Sequence, residues 1–552
     1  MNHKIRTAIL SAVTLSAGLC LLPSTARAAG LYFSDRGVRG LGRGGALVAG
    51  SDDAGSIYYN PAGLAFTGHQ FLFDASWLNY SGTYQRQARV EQTDPNTGEP
   101  TGQSFTRTFA KVEGTSPVLP IPTLVYANPL GTKDFNFALG LWAPYAAITS
   151  YPETVGGSPA PQRYSLISLD GSALAVVGAY ASWRPVDELA LGAGIEMLTG
   201  FFETSVAFSA CVPDRFICAP EQPDYDAVSK LKVGTIFAPS GVLGATVVPH
   251  DDVRLGIAYH LPFSINSGAT VDVRLPSAPV FENASQAGND ANVKFTLPGV
   301  LRTGVEYRGI PDTRIELAYV WENWAVHDKI TIEPQNISLK GVEAFPDEYK
   351  VSDITLERNF QNTWSLRFGG EHTLDIGDYP FDIRAGISYE KSAIPNPYLS
   401  ATTVDVDKIT VGLGGGLHIG KWRFDGVIAR VFGSPVNVSV DEARIAQVLP
   451  LRANPPDRKN YINAGRYEAS ALVLGIGLTY QFDSTKEAPS EPPEGSGTFR
   501  LKPKPGIQPD AEPEPKAKRG DGVEELDEED EEIHLDDQGN PIEEPSKGKG
   551  KR

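Results

Sequence analysis

Nine charged residues, Arg254, Arg302, Glu306, Arg314, Glu316, Arg367, Glu371, Arg384 and Arg423, fall inside segments that are otherwise apolar or small-residue in character. Guanidinium groups in such surroundings suit a carboxylate, which they can grip with two parallel hydrogen bonds. Arg302, Arg367 and Arg384 are the candidates for such a receptor. The alternative is that the nine satisfy one another and brace whatever lies beside them. Other chemistries find little support. No Gly-x-Ser-x-Gly marks a hydrolase nucleophile, and the 8 histidines are scattered singly, so neither a metal cluster nor a metal cofactor is expected. Gly40-x-Gly42-x-x-Gly45 spells a dinucleotide fingerprint but has no strand before it and no βαβ unit around it. Gly415-x-x-x-x-Gly420-Lys421 lacks the Ser or Thr of a phosphate loop, because Trp422 stands there. Cys211 and Cys218, in a Pro-rich stretch, fit a small disulfide, with a pair of free thiols as the alternative.

The segments carrying the charges alternate with period two. Leu472, Leu474, Ile476, Leu478, Tyr480 and Phe482 share one side, against Val473, Gly475, Gly477, Thr479 and Gln481. Phe381, Ile383, Ala385, Ile387 and Tyr389 alternate with Asp382, Arg384, Gly386, Ser388 and Glu390, and Val253, Leu255, Ile257 and Tyr259 with Arg254, Gly256 and His260. About fourteen such segments follow one another, beginning near 70–84, 117–129, 134–151 and 166–184 and ending at 466–482. They exceed the usual length of a globular strand, about 5–6 residues, and many finish in an aromatic residue. That grammar fits a transmembrane antiparallel β-barrel with lipid outside and a polar lumen, closed by an even number of strands. Short turns at 185–187, 249–251 and 311–312 would face the periplasm. Long connections at 85–116, 209–227 and 273–290 would face outward.

The two ends bear on the compartment. Lys4 and Arg6, an apolar run from Ala8 to Leu22 and Ala26-Arg27-Ala28 have the form of an export signal, which puts the signal peptide at 1–28. Past it no stretch of eighteen apolar residues remains to form a membrane helix, and a closed barrel is then the spanning structure available. Residues 483–552 are rich in Pro, Glu, Lys and Gly, with 20 acidic against 11 basic residues in a chain of net charge −18. Such a stretch buries too little apolar surface to order itself, so a disordered acidic periplasmic tail is expected. Its charge argues against nucleic acid as a partner.

Within this frame the N-terminal region reads Gly40-Leu41-Gly42-Arg43-Gly44-Gly45-Ala46, then Asp52-Asp53-Ala54-Gly55, then Asn60-Pro61-Ala62-Gly63-Leu64. Pro144-Tyr145, Arg163-Tyr164, Leu297-Pro298, Trp321-Glu322-Asn323-Trp324 and Pro395-Asn396-Pro397 follow in order. Together, over roughly residues 30–482, these resemble the FadL/TodX outer-membrane transporters of long-chain fatty acids and aromatic hydrocarbons. The resemblance implies a hatch at 29–69, marked by Asn60, Pro61, Ala62 and Gly63, plugging a barrel at 70–482. It also implies capture of a hydrophobic ligand outside, passage to an interior pocket, and sideways exit at a kinked third strand. Pro144 and Tyr145 fall in that strand, where a proline cannot donate to the ladder. Family members usually end on the last strand's aromatic residue, which the barrel assembly machinery reads; here the chain continues past Phe482.

The expectation is therefore a cofactor-free, monomeric, non-enzymatic channel in the Gram-negative outer membrane, in contact with outer-membrane lipid. It passes fatty acids by passive diffusion, with aromatic hydrocarbons as the alternative cargo. A general porin and an outer-membrane lipolytic enzyme are the readings from other classes.

Overall fold

The computed structural model describes residues 35–482 apart from 95, 98–99, 117–119, 144–148, 170, 210–222, 344–345 and 449–459. The signal segment, the acidic tail, Pro144, Tyr145, Cys211 and Cys218 lie outside the described residues. Fourteen antiparallel barrel strands follow in chain order: β1 (Gln70–Thr93), β2 in two parts (Pro100–Thr115 and Pro120–Asn128), β3 (Phe135–Trp142), β4 (Ala173–Val186), β5 (Leu189–Ser209), β6 (Asp226–His250), β7 (Val253–His260 and Phe263–Arg274), β8 (Asp290–Leu297 and Val300–Ile310), β9 (Thr313–Glu322 and Lys329–Pro334), β10 (Ile354–Glu357 and Thr363–Ile376), β11 (Tyr379–Glu390), β12 (Lys408–Ile419), β13 (Trp422–Gly433) and β14 (Gly465–Gln481). The sheet closes on itself where β1 meets β14, from Gln70 opposite Gln481 to Arg86 opposite Gly465. Closure leaves no edge within the lipid, where an unpaired backbone group costs several kcal/mol.

Side chains facing away from the lumen are apolar and bare: Ile195 is 75%, Phe237 69% and Leu139 65% exposed. No water-soluble core is built from them, so this face is the lipid face. Aromatic pairs collect at the end with the short turns, including Phe135 with Trp183 (6.0 Å between centroids) and Trp422 with Tyr480 (4.5 Å). Phe482 packs at that rim against Tyr480 (4.8 Å) and His69 (4.3 Å), and its amide donates to the His69 carbonyl at 2.9 Å. The last strand is thus sealed onto the chain just before β1 begins.

At the other end the expectation of loops needs correcting. Residues 85–116, read as one long connection, are mostly strand. β1 and β2 run on as a hairpin to Thr93 opposite Pro100, with a bulge between Gln85 and Gln87. The alternation there is hidden by polar residues on both faces, as expected of a hairpin standing in water. The connection at 273–290 carries a 3-10 turn, Pro279–Phe281, and a strand, Ser285–Ala287, which pairs with Ser338–Lys340 in a small separate sheet. The fourth segment, read from 166, starts at Ala173. Residues 150–169 instead fold inward with 391–407 and 434–448 into a cap around Tyr84, Tyr151, Leu166, Leu169, Leu399 and Tyr467.

The largest correction concerns the lumen, expected to be polar throughout. In β7, Leu255 and Ile257 face lipid, 40% and 48% exposed, whereas Phe263 and Ile265 face inward at 4% and 3%. All four are odd-numbered. The backbone turns over at Leu261-Pro262, and again in β8 at Pro298-Gly299, where Val305 is 51% exposed and Val293 2%. Above these breaks the wall stands in water, so polar residues face out and apolar ones face in, as in a soluble barrel.

Candidate functional site: a plugged lumen with two storeys

Residues 35–69 thread the lumen as two short helices, α1 (Val38–Gly42) and α2 (Ser56–Tyr59), and a 3-10 turn, Pro61–Phe66, nearly all buried. Such a coil can lie against a barrel wall only where the wall is thin. Gly192 of β5 stands opposite Gly244 of β6, and Asn60-Pro61-Ala62 rests on that pair; a Cβ on either glycine would run into the triplet. Gly369, Gly386 and Gly412, in register across β10, β11 and β12, seat the backbone of Leu41 to Gly44 in the same way.

Asn60 uses its whole amide. Its Oδ1 accepts from the Ala62 amide at 3.1 Å, and its Nδ2 donates to the carbonyls of Val48 (3.2 Å) and Ala245 (3.1 Å) and to Thr246 Oγ1 (3.0 Å). It therefore caps a turn, ties two hatch segments together and bolts both to β6. Pro61 opens the turn, where a missing N–H is harmless.

Below and beside the triplet the lumen is charged. Arg39 of the hatch pairs with Asp52 (2.6 Å), Asp53 (3.1 Å) and Glu371 of β10 (2.5 Å). Arg314 of β9 reaches Asp52 (2.7 Å), Glu306 (3.0 Å) and Glu371 (3.1 Å), and Arg43 reaches Glu306 at 3.1 Å. Glu316 accepts from the amides of Val48 (2.6 Å), Ala49 (3.0 Å) and Gly50 (2.9 Å). Arg384, proposed from sequence as a carboxylate receptor, lies in this storey, held by Asp425 (2.5 Å), Asp382 (2.6 Å) and Glu371 (3.1 Å). Arg423 joins Asp425 (2.8 Å) to hatch Asp53 (2.9 Å). Buried charges are tolerable only when paired and hydrogen-bonded, and this lattice pairs wall with hatch.

Above it the lumen is apolar. Ile57, Tyr58 and Tyr59 of α2 form the floor, and Val125, Trp142, Val176, Leu198, Val233, Ile236, Phe263, Ile265 and Val293 line the wall. Polar groups meet at floor level. Trp142 Nε1 donates to Tyr180 OH (3.2 Å), which donates to Glu196 (3.0 Å). His260 contacts Glu196 through Nδ1 (3.3 Å) and the Tyr58 carbonyl through Nε2 (2.9 Å). A carbonyl can only accept, so Nε2 carries the hydrogen of that contact. Arg302 and Arg367, the other two sequence candidates, are here: the Arg302 guanidinium lies 4.5 Å from the Tyr58 ring centroid, and Arg367 is ion-paired to hatch Asp35.

Beside this storey the described pairing of β3 is short. The β3 ladder ends at Trp142, pairing only with Thr123–Asn128 of β2 and Val176–Trp183 of β4. Pairing resumes at Ser150, bridged to Thr115 and Ser168. Among the described residues nothing pairs with Pro120–Pro122 or Ala173–Ala175 on the β3 side. Pro120 and Pro122 pair with β1 on their other side and have no N–H to donate to a ladder. Arg36 of the hatch donates from Nε to the Ala143 carbonyl at 2.5 Å, where the ladder stops.

A monomeric outer-membrane β-barrel, blocked by its own N-terminal hatch and apolar above it, is the class these features define. The family described as outer membrane protein transport protein (OMPP1/FadL/TodX) matches residues 19–482, and the chain belongs to it: it is an outer-membrane transporter of hydrophobic compounds. A putative outer membrane protein of Neisseria meningitidis serogroup B, NMB0088, is 23% identical over 512 residues, covering 86% of this chain and 99% of that protein. Among solved structures, a Pseudomonas aeruginosa FadL homologue superposes with a TM-score of 0.61 at 17% identity, covering 82% of this chain and 100% of the other. The Pseudomonas putida toluene transporter TodX gives 0.53 at 15% identity, covering 81% and 99%. At these identities the likeness is one of fold.

Proposed function

We propose that this protein carries long-chain fatty acids across the outer membrane by passive diffusion. The ligand passes the extracellular cap, dissolves its chain in the apolar storey above α2, and leaves sideways beside Ala143, at the end of the described β3 ladder, once the hatch shifts. One observation carries the reading: hatch residue Arg36 is bonded to Ala143 where the β3 ladder stops, so displacement of the hatch and freeing of that wall segment are one event. Arg302 and Arg367 at floor level favour an amphiphile over a pure hydrocarbon. A carboxylate there competes with Asp35 for Arg367 and so loosens the hatch from the wall. The charged storey beneath repels an alkyl chain, which argues for lateral exit over axial passage.

Uptake of labelled oleate and of labelled toluene, compared in cells lacking and expressing the protein, tests this. Expression is expected to raise oleate uptake. A rise for toluene alone would turn the assignment to aromatic hydrocarbons, and no rise for either would defeat it.

A further inference from the structure

Where β9 and β10 break, between Glu322 and Lys329 and between Glu357 and Thr363, the chain turns inward beneath the cap. Asn359 adopts a left-handed conformation (φ 50), which asparagine tolerates better than most residues. The amides of Arg358 and Asn359 both donate to the Asp328 carbonyl, at 2.7 and 2.9 Å. This double clamp presents Arg358 and Phe360 to the interior. Phe360 packs on His327 (5.0 Å) and Trp324 (5.6 Å), and His327 on Phe295 (5.9 Å), whose ring also borders the apolar storey.

Arg358 is half-buried in this aromatic setting and has no carboxylate partner among the described residues. Its Nη1 donates to Thr403 Oγ1 at 3.2 Å, and its Nε has no partner. Burial alone acts on the guanidinium, holding it down to about 10, with no neighbouring acid to offset the loss of water. Ser400 Oγ, buried on the same turn as Thr403, is likewise unpartnered. His327 Nδ1 donates to the Thr296 carbonyl at 2.9 Å, so its buried Nε2 offers a lone pair and no hydrogen. The arginines of the charged storey each face an acid; Arg358 stands at the junction of cap and apolar storey with its Nε donor unused and no acid beside it among the described residues. A half-buried cation with spare donors and greasy walls is complementary to an anion carrying an apolar chain.

We infer that Arg358, with Thr403 and Ser400, forms a head-group site beneath the cap for the carboxylate of an amphiphile whose chain lies along Phe360, Trp324 and Phe295. It rests on the fatty-acid reading above and deepens it, adding Arg358 beneath the cap to Arg302 and Arg367 at the floor as a residue that favours carboxylates over uncharged lipids of equal chain length.

The test uses the full-length protein in phospholipid nanodiscs and two probes, laurate and 1-dodecanol, titrated calorimetrically against wild type, Arg358→Gln and Arg358→Lys. Folding of each variant is checked by its heat-dependent shift on a denaturing gel. Wild type is expected to hold laurate at least tenfold tighter than dodecanol. Arg358→Gln should cut that preference at least threefold without changing dodecanol affinity, the remainder resting on Arg302 and Arg367, and Arg358→Lys should keep most of it. Equal affinities in wild type, a preference intact in Arg358→Gln, or displacement of laurate by millimolar inorganic phosphate would overturn the assignment. Loss of oleate uptake with laurate preference retained would sink the transport reading and leave the site standing; the reverse would sink only the site.

Discussion

Replacing Asn60 by Ala removes four hydrogen bonds at once, to the Ala62 amide, the Val48 and Ala245 carbonyls and Thr246 Oγ1. It adds no bulk, so Pro61 and Ala62 still fit over Gly192 and Gly244. Each buried hydrogen bond contributes about 0.5–1.5 kcal/mol net. The bonds to Ala62 and Val48 lie within the hatch, and those to Ala245 and Thr246 join it to the wall, so the latter two, about 1–3 kcal/mol together, are what the closed state alone loses. At about 1.4 kcal/mol per decade, the open-to-closed ratio rises on the order of tenfold. Ion current through single barrels in planar bilayers reads that ratio directly. Wild type should be silent with rare openings, and the variant should flicker open far more often at unchanged unit conductance. A variant as silent as wild type, with folding verified, would show that Asn60 does not hold the hatch.

Three further outcomes follow from the same geometry. Gly386→Val drives a side chain into the Arg43 backbone; overpacking of this kind costs about 1–3 kcal/mol, and raised ion conductance with a lower unfolding temperature is expected, whereas wild-type values for both would remove the glycine seat from the account. Glu371→Gln leaves Arg39, Arg314 and Arg384 short of a buried partner; the cost, about 3–5 kcal/mol, should appear as a lower urea midpoint, and an unchanged midpoint would mean the lattice does not brace the hatch. His327 is held down to about 4 from 6.5, by burial first and by Arg358 second, with Asp328 opposing. A depressed histidine favours the neutral fold, so its contribution is complete above about pH 6.5 and is lost as pH falls toward 4, reaching about 2 kcal/mol near pH 5. Proteolysis of the cap should quicken over that window in wild type but not in His327→Phe.

How much of this was legible in the sequence varies with what the residues must satisfy. Lipid and lumen impose opposite demands on successive side chains, so the fourteen strands stand out; β14, expected at 466–482, spans Gly465–Gln481. Inward glycines such as Gly256 and Gly386 were visible as small residues, but their purpose was not, because a glycine does not announce which distant backbone rests on it. Charge on alternate positions was legible, yet height along the barrel was not. Arg384 and Arg302 look alike in sequence and lie in different storeys. The odd-numbered apolar stripe of β7 and β8 reads as one unbroken face, and only the turnover at Pro262 and Pro298 makes its upper half line the lumen. Arg358 escaped notice because residues 352–374 read as one uninterrupted strand, whereas the chain leaves the wall between Glu357 and Thr363.

On the proposed route the hatch must move for cargo to pass. Ala62 of the hatch and Ala190 of β5 share one buried cluster, and cysteines placed at both are treated with oxidant or a short, reducible bifunctional thiol crosslinker, with the bridge read as a mobility shift on a denaturing gel. Oleate uptake measured in cells carrying Ala62→Cys with Ala190→Cys should stop when the bridge forms and return on reduction, with either single variant unaffected. Undiminished uptake through a barrel whose bridge is verified would contradict the account.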